Sequence, residues 1–292
     1  AQALEGITVL DLTWVFTGRI STKYLADHGA RVIKVEWAAR PDETRGMGPF
    51  KDGVPGANRG GIFSTFNSSK LGMTLNLRNP KGRELFRRLV AIADVVVETF
   101  SPGTMARMQL DYDSLRRYRP DIIVASMTMQ GQSGPYAHQP TFGAYFQGTV
   151  GFTDLIGWPD LPPANPQSAY SDFVTPWFII ASILAAVDHR RRTGHGCYRD
   201  LSQLEATLHF LTPYLLDFNT NRRLAHRQGN RSPRAAPHNA YRCKGEDVWC
   251  AVGVFTDAQW QGLCAAVGHP EWTRDPRFAT LVDRKANEEA LD

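Results

Sequence analysis

Short apolar runs alternate with amphipathic stretches from the first residues onward. Residues 7–11 form a compact apolar run, 21–27 carry a helical pattern, and Gly29 stands where a helix would end. Residues 31–36 (Arg-Val-Ile-Lys-Val-Glu) then read as a second strand, rich in β-branched side chains. The alternation recurs. Residues 73–77 predict a strand, 80–93 an amphipathic helix with Pro80 just inside its start, and 94–100 another strand. A helical turn over 115–118 precedes a further strand over 121–127. Strands that are near-continuous apolar runs, separated by helices, predict an α/β fold: a Rossmann-like parallel sheet covered on both faces.

Residues 128–171 lose this period and are rich in Gly, Pro, Gln and aromatics, which predicts a long functional loop. The longest helix is expected over 172–192, closed by basic residues and Gly194. A strand over 197–201 and a helix over 203–217 complete a large domain of residues 1–217. The arginine-rich stretch 218–237, with Pro233 and Pro237, reads as a linker. Beyond it, residues 240–243 and 248–254 flank a polar turn as a β-hairpin would, and 257–267 predict a helix. These make 238–292 a small α+β domain. The chain stops within a helix-like run, 284–291, so a C-terminal return segment is expected to be missing.

Composition narrows the function classes. Across 292 residues, 42% are hydrophobic and 21% charged, as in a soluble globular protein. A net charge of +4 suits an anionic small molecule better than the dense basic face that nucleic acid requires. The four cysteines, Cys197, Cys243, Cys250 and Cys264, have neither metal-site nor disulfide-framework spacing. They read as reduced thiols of a cytoplasmic protein with no metal. The apolar stretch 174–187 is too short to span a bilayer, and no signal-peptide pattern opens the chain. No membrane association is expected.

Candidate chemistry is sparse. Glu36 at the end of the second strand invites a dinucleotide reading, but the turn after Asp11 contains a single glycine where a pyrophosphate cradle needs several. No G-x-S-x-G motif or metal-spaced cluster is present. His189 and His195 sit beside arginines at a helix end and read as complements to the helix dipole. Asp172 follows the irregular loop and opens the apolar helix. Ser171 and Asp172 suit a helix cap, and a helix start also stabilises the anion that a carboxylate nucleophile needs. Both readings stand on local sequence. Lys70, Arg40 and Arg107 lie near loops and could meet phosphates. Trp14, Phe16, Tyr145, Phe146, Phe152 and Trp158 could line a pocket.

Taken in order, several segments resemble the class III CoA-transferases, the family of formyl-CoA, carnitine-CoA and bile-acid-CoA transferases. They are residues 4–13 (LEGITVLDLT), 25–36 (LADHGARVIKVE), 42–46 (DETRG), 93–103 (ADVVVETFSPG) with Arg107, 131–136 (GQSGPY), 192–196 (RTGHG) and 201–206 (LSQLEA). The resemblance covers essentially the whole chain. It implies coenzyme A, carried as acyl-CoA, and a carboxylic acid as substrates, with CoA passing through covalent intermediates on Asp172. It nominates Val15, Phe16, Thr17, Thr99, Phe100 and Arg107 for CoA, with Arg40 and Lys70 as further phosphate contacts. It also implies an intertwined dimer, either a homodimer or a heterodimer with a paralogue. Two departures stand out. Trp37 follows Glu36 where the family often has a basic residue. Phe142-Gly143 occupies the stretch in which the racemase branch carries a His-Asp pair. The alternatives are an acyl-CoA racemase or epimerase on the same fold, kept open by His138, and a non-catalytic subunit.

Overall fold

The computed structural model describes residues 2–166 and 169–292. The chain divides into two units. The first comprises Ala1–Val150 with Pro166–Arg222, the second Gly151–Asn165 with Arg223–Asp292. The division differs from the expected one in two ways. The large unit runs past Asp217 because a helix continues to Asn221. Part of the predicted loop, 151–165, belongs with the C-terminal unit through contacts such as the backbone bond from Gly229 to Gly157 (2.9 Å) and the ion pair of Arg227 with Asp154 (2.6 Å).

The first unit is built on six parallel strands, β1 (Thr8–Leu12), β2 (Arg31–Glu36), β3 (Leu71–Thr74), β4 (Val95–Glu98), β5 (Ile123–Thr128) and β6 (Cys197–Ser202). Their order is β3-β2-β1-β4-β5-β6, so the direction of winding reverses between β1 and β4. Successive side chains point to opposite faces, and the two faces are both apolar. Val9, Val95, Val97, Ile123 and Met127 pack under two helices, α1 (Thr17–Asp27) and a long one described below. Leu10, Leu12, Val96 and Val124 pack on the other side against Phe86 and Val90. That doubly covered arrangement is why the strands read as unbroken apolar runs.

The helices of six residues or more continue as α2 (Gly61–Asn67), α3 (Pro80–Val90), α4 (Gly143–Val150), α5 (Tyr170–Thr193), α6 (Gln203–Leu208) and α7 (Thr212–Asn221). Three differ from expectation. Helix α1 begins at Thr17, four residues earlier than its apolar pattern suggests. Helix α4 lies inside what reads as loop, held by Phe146 and Val150 in the core and by Gln147 donating to Ser171 Oγ (3.0 Å). The helix expected over 203–217 is split by a 3₁₀ turn at His209–Leu211, ahead of Pro213, which has no N–H to continue it.

Helix α5 is long and apolar enough by length and composition to cross a bilayer. Its Ile179, Ile180, Ile183, Ala186 and Val187, however, are core residues of the first unit.

The second unit carries an antiparallel pair, β7 (His238–Arg242) and β8 (Trp249–Gly253), with α8 (Asp257–Ala266) and α9 (Leu281–Ala286). Val254, Trp260, Cys264 and Phe278 form its core. Arg284 is buried there and donates to the carbonyls of Ala236 (2.9 Å) and Phe278 (3.2 Å).

Candidate active site

A crevice beyond the carboxyl ends of strands is the usual ligand site of an open parallel sheet, at the point where winding reverses. A cavity of about 400 Å³ occupies that place. It is lined by the loops after β1 (Trp14–Thr17), β4 (Thr99–Pro102) and β5 (Met129, Gln130), by residues 137–143, and by Asp172 and Gln203.

The loop after β1 is stressed and well anchored. Val15 has φ of 59°, a left-handed conformation that a β-branched side chain tolerates poorly. Its neighbours are pinned on both sides. The Trp14 N–H donates to Thr99 Oγ1 (2.8 Å), tying the β1 and β4 loops together. The Thr13 N–H and hydroxyl donate to Asp11 Oδ1 (2.9 and 2.6 Å), and Lys34 donates to the Thr13 carbonyl. Burial alone would push the Asp11 carboxyl up, but Lys34 and Lys70, with the Thr13 and Thr22 hydroxyls, hold it far below the usual range.

Lys70 is thereby placed away from the expected phosphate role. Four acceptors surround its Nζ, Asp11 Oδ2 (3.0 Å), Thr22 Oγ1 (2.8 Å), Asn67 Oδ1 (3.1 Å) and the Arg19 carbonyl (3.1 Å), more than its three protons can serve, and its side chain is 2% exposed. An ammonium spent on an internal carboxylate has no donor left for a ligand. Arg40 lies differently. A tight turn bonds its N–H to the Trp37 carbonyl (2.9 Å) and brings the guanidinium 5.0 Å from the ring of Trp14 at the cavity wall. Arg107 is exposed at the end of the short helix Thr104–Arg107, donating to Thr104 Oγ1 (2.8 Å), just beyond the cavity-lining Ser101 and Pro102. Val15, Phe16, Thr17, Thr99 and Phe100 all line the cavity. The Phe100 N–H is fixed by Glu98 Oε2 (2.6 Å). Burial pushes that glutamate up to about 7, against the Ser126 hydroxyl and the Phe100 N–H, which favour its anion.

Asp172 does not cap its helix. Helix α5 begins at Tyr170, so Asp172 is its third residue, and Ala169 at the cap position makes no side-chain bond. The Asp172 side chain instead crosses to α1, where Oδ1 accepts from the Thr17 hydroxyl (3.1 Å). Thr17 Oγ1 in turn accepts from Gln203 Nε2 (2.7 Å). All three side chains are nearly sealed, at 4–5% exposed. Burial pushes the Asp172 carboxyl up to about 6, against the Thr17 and Gln203 side chains, which favour the anion. Pro176, four residues on, cannot donate to the Asp172 carbonyl, which loosens the turn that carries the carboxylate.

Gly143 abuts the other oxygen. A Cβ built there would sit 2.5 Å from Asp172 Oδ2 and 2.6 Å from Ala169 Cβ. Only a glycine lets the backbone approach the carboxylate so closely. The aromatics also sort themselves. Trp14 and Phe16 line the cavity with Phe100 and Phe142, whereas Tyr145 is exposed, Phe146 is core, and Phe152 and Trp158 belong to the second unit. Gln203, Gly143, Phe142 and the residues after β5 escaped sequence reading as site residues. The signal that finds the last is their position, directly after the end of a parallel strand, and Gln203 follows β6 in the same way.

A buried, poorly solvated carboxylate beside a cavity of this size can attack an electrophilic carbonyl. Comparison with known proteins supplies the electrophile's class. The sequence model of CoA-transferase family III matches residues 4–292. The chain is 35% identical over 288 residues to an acetyl-CoA:oxalate CoA-transferase of Acetobacter aceti, covering 98% of this chain and 72% of that protein. It is 32% identical over 291 residues to a succinyl-CoA:glutarate CoA-transferase of Mus musculus, covering 99% and 65%. The crystal structure of a CAIB/BAIF family protein from Brucella suis superposes with a TM-score of 0.87 at 33% identity, covering 99% of this chain and 76% of that one. The chain thus spans roughly two thirds to three quarters of the length of these relatives.

Proposed function

The chain belongs to CoA-transferase family III and is a CoA-transferase, and from that premise we propose that Asp172 is the nucleophile that carries CoA between two carboxylic acids. The single observation behind this reading is the carboxylate itself. It is buried at the cavity wall where the β1 and β4 loops diverge, and burial raises its pKa to about 6. Such a group is ionised at neutral pH yet weakly solvated, which favours attack. The positive end of α5 offsets part of the charge.

Four displacements complete a turnover. Asp172 Oδ2 attacks the donor thioester, its bond to the acyl carbon forms, the C–S bond breaks, and CoA leaves as thiolate. The thiolate attacks Cγ of Asp172, pushing the carbonyl pair onto Oδ1; collapse expels the donor acid, which departs with Oδ2, and leaves an aspartyl-CoA thioester. The acceptor carboxylate attacks the same Cγ, again charging Oδ1, and expels the thiolate. Finally the thiolate attacks the acceptor's acyl carbon and releases the Asp172 carboxylate. No proton is transferred at any step, in keeping with a site built on hydrogen-bond donors. Val15, Phe16, Thr17, Thr99 and Phe100 would hold the CoA arm, with Arg40 and Arg107 toward its phosphates. Lys70 is not part of this set.

Gly143 supports transfer over epimerisation. A side chain at Gly143 would collide with the Asp172 carboxylate, and the resemblance places the racemase branch's His-Asp pair in the stretch that here reads Phe142-Gly143. The resemblance also supports an intertwined homodimer, or a heterodimer with a paralogue, and the scattered free cysteines suit a cytoplasmic setting. The test pairs acetyl-CoA and succinyl-CoA with a panel of mono- and dicarboxylic acids, and adds hydroxylamine during turnover. Mass spectrometry should find a hydroxamate at Asp172 and no CoA transfer by Asp172→Ala. Transfer surviving that substitution would overturn the reading.

A further inference from the structure

We infer that the Thr17 hydroxyl, aimed by the Gln203 amide, is a second catalytic group of this site: it donates to Asp172 Oδ1 in the resting carboxylate and to the oxyanion that forms on that atom during transfer. The inference rests on Asp172 being the nucleophile.

The geometry fixes the direction of the chain. An amide nitrogen only donates, so Thr17 Oγ1 accepts from Gln203 Nε2 (2.7 Å) and has one proton of its own left to give. A carboxylate only accepts, so that proton goes to Asp172 Oδ1 (3.1 Å). The three groups come from three separate elements, the first residue of α1, the third of α5 and the first of α6. Each is nearly sealed from solvent, where such a chain polarises more strongly than in water. Gln203 is itself held by α6, whose Thr207 hydroxyl back-bonds to its carbonyl (2.6 Å).

Chemistry makes the chosen oxygen matter. Of the four displacements, the second and third place the new negative charge on Oδ1, while bonds form and break at the Oδ2 position, first by Oδ2 itself and then by the acceptor oxygen that replaces it. Gly143 crowds Oδ2 and Thr17 bonds Oδ1, so the two oxygens are distinguished before substrate arrives. A donor already in place at the charging atom requires no rearrangement as the intermediate forms. Thr17 therefore touches a reacting atom, and Gln203 is a positioning residue that acts through it.

The experiment compares Thr17→Val, Thr17→Ser and Gln203→Leu in the full chain, using the donor–acceptor pair that the wild-type protein turns over in the panel above. Thr17→Val keeps the shape and removes the donor. It should lower kcat about 10²-fold with KM little changed. It should also move the acid limb of kcat/KM upward by about one pH unit, because the carboxylate loses a bond to its charged form. Thr17→Ser should recover most of the rate and the original limb. Gln203→Leu should shift both in the same direction, by about tenfold in kcat. A near-normal kcat and unmoved limb in Thr17→Val would overturn the inference, as would Thr17→Ser being as impaired as Thr17→Val. Should Thr17→Val not fold, an unaltered profile in Gln203→Leu overturns it instead. An inert Asp172→Ala beside a normal Thr17→Val defeats this inference alone, whereas an active Asp172→Ala defeats the nucleophile reading.

Discussion

Replacing Asp172 with Asn separates what the site costs the fold from what it does. The folded chain raises this carboxyl from 3.8 to about 6, which corresponds to about 3 kcal/mol of stability lost once the group ionises in the folded state. The sign follows from proton binding. Below about pH 4 both folded and unfolded chains hold the proton and nothing is lost. Between about pH 4 and 6 the unfolded chain releases it first, so stability falls; above that range the full cost is present. Asparagine resembles the protonated acid in size and neutrality, and its Oδ1 can still accept from Thr17, 3.1 Å away in the parent. Its Nδ2 faces the crowded side beside Gly143, where an unsatisfied donor would take back about 1 kcal/mol. Asp172→Asn should therefore be more stable than the parent by about 2 kcal/mol at pH 8 and less stable than it by about 1 kcal/mol near pH 3, where the parent carboxyl is protonated in both states. Urea unfolding followed by tryptophan fluorescence at several pH values measures the difference directly, and CoA transfer by the same variant should be lost. Equal stability at high pH, or a gain that is independent of pH, would refute the claim that burial of this charge sets its chemistry.

Three further outcomes are expected. Gly143→Ala puts a methyl 2.5 Å from Asp172 Oδ2, so kcat should fall by about 10²-fold as the carboxylate is displaced, with thermal melting showing a loss of about 1–3 kcal/mol. Asp11→Asn strands Lys34 and Lys70 in the interior without their anion, and denaturation should show a loss of about 3–5 kcal/mol. In the second unit, Gly229 has φ of 58° and an added Cβ would meet the Trp158 ring at 2.4 Å. Gly229→Ala should make segment 151–165 an early target of limited proteolysis while leaving CoA-transfer kinetics measurable.

Much of the fold was legible because its signals are local. The valine, isoleucine and leucine positions of β1, β2, β4 and β5 declare strands buried on both faces, and Pro80 and Gly194 mark helix ends at the positions where helices begin and stop. Helix α4 was illegible for the opposite reason. Gly143 and Gly148 lower its intrinsic propensity, and what forms it is tertiary: buried Phe146 and Val150, and a Gln147 amide reaching Ser171, 24 residues away. Lys70 was misplaced for the same kind of reason. A lysine after a polar stretch reads as a solvated cation, and nothing near it reveals that its carboxylate partner is 59 residues back.

Asp172 shows how the two kinds of information combine. Its neighbourhood in sequence supports a helix cap, and that reading fails because the helix starts earlier, at Tyr170. What singles it out as the proposed nucleophile comes in part from positions 155 residues before it and 31 after it, Thr17 and Gln203. Neither can be found by scanning for motifs, since a threonine opening one helix and a glutamine opening another are ordinary choices. Both become findable once the sheet is known to be parallel. Thr17 follows β1 and Gln203 follows β6, as Thr99 follows β4 and Met129 follows β5. The ends of β1, β4, β5 and β6 deliver their next residues toward one crevice. In this fold the productive question for a sequence is therefore which residues come directly after the strands. Asked of this chain, it gathers the Thr17–Gln203 pair and the loops proposed for CoA together, and leaves Asp172 and Gly143 as contributions that only the packing of α4 and α5 brings in.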